Sequence, residues 1–188
     1  MGVDRNERLT AVTGAVLIVL LAALGVTILS IGPLIWWHVL IGMLLIPPVL
    51  LKLASTGWRF LHYYRGTPEY VRRGPPETPL RLLAPLVVVS TLAVFGTGVA
   101  LIVVGPAGGI LVGLHKASFV FWLVATAVHV LAHLRRLLPT ARPVPGAVMR
   151  GALVVVSIVA GAVLAAATVR YGDSWVHWFA HRNFGGDG

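Results

Sequence analysis

Five long apolar runs dominate the chain, at about residues 10–31, 34–58, 80–104, 110–138 and 148–169. A membrane-spanning helix needs roughly 20 mostly apolar residues, and each run meets that length. The first follows Met-Gly-Val-Asp-Arg-Asn-Glu-Arg. It is too long for the apolar region of a signal peptide and lacks a clean small-residue cleavage site, so it is read as a helix. Asn6 breaks the myristoylation pattern that Met1-Gly2 would otherwise suggest. The pattern predicts an all-α integral membrane bundle of five transmembrane helices. It forms a single membrane domain over residues 1–188, with 170–188 as a tail. There is no internal repeat.

The connections predict the orientation. The N-terminal tail carries Arg5 and Arg8; the next turn, Ile-Gly-Pro-Leu at 31–34, is uncharged. Residues 59–81 hold Arg59, Arg65, Arg72, Arg73 and Arg81 against Glu69 and Glu77. The 105–113 turn is uncharged, and 135–150 holds Arg135, Arg136, Arg142 and Arg150. Basic connections alternate with uncharged ones, which predicts the N-terminus inside and the C-terminus outside. The short uncharged turns make helices one and two antiparallel neighbours, and likewise three and four. Trp36 and Trp37 fall at the outer interface, and Trp58, Tyr63 and Tyr64 at the inner one, as aromatic belts do. Pro47-Pro48 should kink the second helix.

Composition narrows the function. Hydrophobic residues make up 57% of the chain, charged ones 11%, and mean hydropathy is +0.89. Soluble domains carry about 25% charged residues. That deficit excludes an ordinary soluble enzyme, a disordered protein and a nucleic-acid binder. The net charge of +9 comes from basic residues between apolar runs, so it reports topology. With no cysteine there is no disulfide, thiolate zinc site, iron–sulfur cluster or covalently attached haem. No Asp or Glu lies within a span, which argues against a proton pump or cation transporter. No Gly-x-Ser-x-Gly motif supports hydrolysis, and no catalytic residues are assigned.

Histidine is the chemistry that remains. Five of the seven histidines lie in or at the ends of helices two and four: His38, His62, His115, His129 and His133. Ionisable residues inside spans are costly and are functional candidates by default. His38 and His115 each lie a few residues into parallel-running helices, so they reach the same depth near the outer face. A flat macrocycle fits between two such imidazoles, since haem iron accepts axial histidine in a dry helical pocket. Gly42, one turn below His38, leaves room for a ring against the backbone. His129 and His133 follow His115 by 14 and 18 residues, about 21 and 27 Å of helical rise. They form an inner pair on a similar face, as a helix serving two stacked sites would. Lys52 matches His129 in depth, and its ammonium suits a haem propionate or another anionic ligand. Lys116 is an outer candidate anchor, and Arg59, Arg65 and Arg81 are inner ones. His62 is 24 residues beyond His38 and reaches the inner site only through a large kink.

His38-x3-Gly42 on helix two, with Leu114-His115-Lys116 and His129-x3-His133 on helix four, resembles the bacterial cytochrome b561-type membrane cytochromes. These include the cytochrome subunits of nickel hydrogenases, formate dehydrogenases and thiosulfate reductases. The resemblance covers roughly residues 10–138, a four-helix haem core with helix five added. It implies haem b, one or two copies. His38 and His115 would ligate the first, and His129 would be one ligand of a second; His133 and His62 are candidates for that second site from their positions in the sequence. Helix one has no histidine to complete an inner site in the family's manner. The resemblance further implies electron transfer with a quinone or a redox partner protein, such as a molybdopterin oxidoreductase, in a bacterial cytoplasmic membrane. Gly-Pro-Pro-Glu-Thr-Pro-Leu-Arg and His115-Lys-Ala-Ser-Phe carry a weaker likeness to small cytochrome b domains associated with such oxidoreductases.

Two other readings stand beside it. One is a cofactor-free subunit anchoring a larger complex; the other is a histidine-based metal transporter. The tail, with Trp175, His177, Trp178, Phe179 and His181, suits a short amphipathic turn on the membrane surface. His177 and His181 are spaced to share a metal but have no third ligand nearby in sequence. Gly96-Thr97-Gly98 reads as a small-residue packing strip.

Overall fold

The computed structural model describes residues 2–74, 78–137 and 145–184, without the side chains of 78–80, 133–137 and 182–184. The described residues are helical throughout, without strands. Five long helices carry the apolar runs: α1 (Val3–Ile28), α2 (Ile31–Tyr64), α4 (Thr78–Val104), α5 (Gly109–Leu137) and α6 (Ala147–Thr168). A six-residue α3 (Pro68–Arg73) follows α2, and a 3₁₀ turn leads from α6 into α7 (Asp173–Phe184). Five helices are long and apolar enough to cross a membrane.

Two of these helices overrun the apolar windows, for a physical reason. α1 begins at Val3 because its first turns are polar and pair across to α2. Asn6 Nδ2 donates to the Ser55 carbonyl at 2.9 Å, and Thr10 Oγ1 lies 2.9 Å from Ser55 Oγ. Glu7 accepts from Arg59 at 3.3 Å and from Arg73 at 2.6 Å. Those ties keep α2 helical to Tyr64. Helical hydrogen bonding has no reason to stop where hydropathy does.

α2 is the hub of the fold, packed along α1 on one side and α6 on another. α6 is therefore integral to the bundle. The Pro47-Pro48 step, expected to kink α2, lies within one unbroken helical segment. Its consequence is local. Pro48 has no N–H to donate to the Leu44 carbonyl. That carbonyl faces α6 at Gly161, where a Cβ would overlap its oxygen. A freed carbonyl and a glycine thus allow a close crossing of α2 and α6, as small residues do between membrane helices.

α4 and α5 form the second antiparallel hairpin. Among the described residues it meets α2 mainly through α4, and α5 packs mainly on α4. Val120, Val124 and Val128, one turn apart on α5, are exposed, as a lipid-facing stripe would be. The tail ties the halves together. α7 folds against α2 and buries Trp175, whose indole N–H donates to the Leu101 carbonyl of α4 at 3.1 Å. Ile35, Val39, Met43, Ala165 and Trp175 form the core of that end. The tail is thus a packed helix rather than a surface turn.

Candidate functional site

His38 and His115 meet across the space between α2 and α5. Their ring centroids are 6.5 Å apart and their planes nearly perpendicular, at 84°. Both side chains are half-buried. Each ring is held through Nδ1 by a threonine from its antiparallel neighbour. Thr27 Oγ1 on α1 lies 2.8 Å from His38 Nδ1, and Thr97 Oγ1 on α4 lies 3.0 Å from His115 Nδ1.

The direction of both bonds follows the tautomer of the histidine. A hydroxyl has one proton to give. Thr27 Oγ1 donates it to the Leu24 carbonyl at 2.5 Å. Thr97 Oγ1 donates to the Ala93 carbonyl at 2.7 Å, with that of Val94 at 3.1 Å. A hydroxyl that gives its proton to its own helix accepts from the ring, which is the Nδ1–H tautomer; a hydroxyl that donates to Nδ1 goes with the other one. In the Nδ1–H tautomer Nε2 carries the lone pair that an imidazole needs to ligate a metal.

The surroundings are shaped for close approach. A Cβ on Gly98 would come within 3.2 Å of His115 Cε1, so glycine lets the ring lie on the α4 backbone. A Cβ on Gly42 would meet nothing within 4 Å, which leaves open space one turn from His38. Ser118 Oγ, bonded to the His115 carbonyl at 3.0 Å, lies 3.3 Å from Thr97 Oγ1. Further toward the charged end, an apolar groove of about 320 Å³ runs between α2 and α4. Ile46, Val49, Thr91, Phe95 and Val99 line it.

The donor set fits a metal-centred macrocycle. Two imidazoles bound on opposite sides of one metal, each through a bond of about 2 Å, have centroids about 6 Å apart. The observed 6.5 Å matches that spacing. Among the described residues no cluster of three or more His, Asp or Glu could hold a metal ion by itself. Two axial histidines suffice when a porphyrin supplies the other donors.

The remaining sequence candidates go elsewhere. Lys52 turns toward α1, donating from Nζ to the Thr10 carbonyl at 2.6 Å over Gly14, whose Cβ would lie 2.9 Å from the ammonium. His62 bonds the Trp58 carbonyl at 2.9 Å and stacks on that indole, with Tyr70 at 5.2 Å. It belongs to an aromatic cluster at the charged end. His129 is half-buried on α5, and the His133 side chain lies outside the described residues. Lys116, His177 and His181 are exposed. Thr27, Thr97 and Gly98 are the residues that sequence reasoning did not assign to the site. Comparison of the chain with protein-family models, curated proteins and solved structures finds no match.

Proposed function

We propose that the protein is a membrane b-type cytochrome that relays electrons through one haem held between His38 and His115. The observation that carries this reading is the imidazole pair, 6.5 Å apart, with a threonine hydroxyl at each Nδ1. The haem would supply one-electron chemistry. The chain would supply its two axial nitrogens, the room beside Gly42 and an apolar surrounding that tunes potential. Lys116 on α5 is one residue from a ligand and suits an acidic substituent of the macrocycle at the exposed rim. The α2–α4 groove is open to a lipid-soluble electron carrier such as a quinone. A redox partner protein would exchange electrons at the membrane surface, and a bacterial cytoplasmic membrane suits that role. One haem is proposed because Lys52 bonds the Thr10 carbonyl and His62 the Trp58 carbonyl.

The test is a dithionite-reduced minus oxidised visible spectrum of the purified protein, with pyridine haemochrome quantification. Sharp b-type bands at a haem-to-protein ratio of about one are expected. His38→Ala and His115→Ala should each abolish them while leaving a membrane-inserted protein. A colourless wild-type preparation from haem-replete cells would refute the reading and favour a cofactor-free anchor subunit. Metal retention without haem would favour a histidine-based transporter.

A further inference from the structure

We propose that Lys52 anchors the transmembrane helix of a partner protein, one that carries an aspartate or glutamate within its own span. The conclusion is independent of the cytochrome reading. Lys52 stands seven residues before Arg59 on α2, about 10 Å deeper along the helix. A lysine at that depth commonly bends its stem back toward the headgroups. This one does not. Its Nζ donates to the Thr10 carbonyl at 2.6 Å, and Thr10 itself faces Ser55 across the seam. A helix carbonyl points toward the C-terminal end of its helix, which for α1 leads further into the span. Nζ also lies 2.9 Å from the point where a Cβ on Gly14 would sit, one turn beyond Thr10. The ammonium is therefore held level with its own turn of α2, inside the apolar layer.

The chain brings no anion to that level. Its six acidic residues all fall outside the five apolar runs. Glu7, one turn before Thr10, is taken by Arg59 at 3.3 Å and Arg73 at 2.6 Å, and Asp4 lies 3.8 Å from Arg73. Among the described residues Lys52 makes no ion pair. The other polar side chains of the seam are neutral: Asn6, Thr10, Thr13 and Ser55 bond to carbonyls or to one another. An ammonium has three protons to give, and the Thr10 carbonyl takes one. Ionisable groups inside spans pair with one another, and a lysine calls for a carboxylate. Depth selects where that carboxylate comes from. A phospholipid phosphate sits at the headgroup level, short of this plane, whereas a second spanning helix passes through it. The seam also leaves a way in. Lys52, Thr10, Ala11 and Gly14 are only half-buried, and Gly14 has no side chain to cover the ammonium. Small residues of this kind let another helix come close.

The experiment is energy transfer between the donor-labelled full-length protein and acceptor-labelled model peptides in phosphatidylcholine vesicles. The peptides are leucine-rich spans of about 20 residues. One carries a single Asp about 10 Å from the end of its span, the depth of Lys52. The others carry Asn or Leu at that position. The Asp peptide should reach half-maximal transfer at a peptide-to-lipid ratio about 5- to 30-fold below the Leu peptide, the gain expected of one strong polar contact between membrane helices. The Asn peptide should show less than half of that gain. Lys52→Met should abolish the preference at wild-type helix content by circular dichroism, and Lys52→Arg, which keeps the charge, should retain it. Equal association of the Asp and Leu peptides with the wild-type protein overturns the site, with no variant needed. So does a preference that persists in folded Lys52→Met protein, or an Asn peptide that matches Asp. Loss of the preference when phosphatidylglycerol replaces half of the lipid would show that a headgroup reaches Lys52, and would overturn the assignment to a partner helix.

Discussion

Replacing Thr97 by valine keeps the shape of the side chain and removes only the hydroxyl. That oxygen lies 2.7 Å from the Ala93 carbonyl and 3.0 Å from His115 Nδ1. Valine leaves the Ala93 carbonyl with its helical partner, so little is lost there. The loss falls on the half-buried imidazole, whose Nδ1 is deprived of its threonine partner; in the Nδ1–H tautomer that nitrogen is a donor. An unsatisfied buried donor costs about 1–3 kcal/mol. The ring can escape that cost by moving its proton to Nε2, but then the ligating lone pair is gone. Either way the haem-competent tautomer is disfavoured by a similar amount, about 10- to 100-fold in affinity, as for other partners that orient metal-bound histidines. Thr27→Val should do the same to His38, whose threonine oxygen is 2.8 Å from Nδ1. The two changes need not add, since both act on one bound group. The assay is haem titration into apoprotein followed by the Soret band, with midpoint potentials measured on the retained fraction. Thr97→Ser restores the hydroxyl without the methyl and should recover affinity, which separates the hydrogen bond from packing. If the Thr27→Val/Thr97→Val protein takes up haem with native affinity and an unchanged potential, the tautomer argument is wrong.

Other outcomes follow from the same geometry. Gly161→Ala drives a methyl into the Leu44 carbonyl, so α2 and α6 must separate; a loss of about 1–3 kcal/mol or more is expected, read as a fall in Tm. Lys52→Met should leave the haem-to-protein ratio unchanged, because the ammonium is bonded to α1; loss of a haem equivalent would show that Lys52 serves a cofactor. Trp175→Phe keeps the ring in the core but deletes the N–H bonded to Leu101, costing about 1 kcal/mol by denaturation. Glu7→Gln breaks ion pairs to half-exposed arginines; each is worth less than about 1 kcal/mol, and the difference from wild type should shrink further in high salt.

Span number, hairpin pairing and the shared depth of His38 and His115 were legible because they depend on counting along the chain. Hydropathy marks a span by length, and helical rise converts residue number into depth. Direction around a helix was less legible. Lys52 matches His129 in depth, yet it turns toward Thr10 and Gly14 on α1. In a span that is apolar on nearly every side, no polar stripe marks which face meets which neighbour. The threonine partners did leave a signal. In an antiparallel hairpin, residues that face each other share a midpoint along the chain. Thr27–His38 and Thr10–Ser55 share one midpoint, and Thr97–His115 and Thr91–Trp122 share another to within half a residue. Reading hydroxyls against histidines in that register would have found both. α6 on α2 had no such ruler, since the connection before it is long and only Gly161 opposite a proline-freed carbonyl records the crossing.

That crossing bears on why the histidines stand apart rather than packed. α1, α2 and α6 form one tightly joined unit, and α4 with α5 a second. The first carries His38 with Thr27, the second His115 with Thr97. Each ligand is therefore oriented entirely within its own unit, before the two units meet. Where they meet, contact comes mainly from α4 and from α7, whose Trp175 bridges α2 and Leu101 at the same end as the histidines. In a bundle meant to be solid, bulky side chains would fill the α2–α5 space and the rings would be buried by direct packing. Here Gly98 lets the His115 ring lie on α4, Gly42 leaves room one turn from His38, and a threonine hydroxyl sits at each ring's Nδ1. Preoriented donors cost no reorganisation when a ligand arrives, so such a gap favours a bound group over collapse. A bundle with this division should gain most of its stability between the halves from whatever occupies the gap. Haem-loaded protein should thus resist heat far better than apoprotein, while His38→Ala protein should show the same Tm with and without added haem.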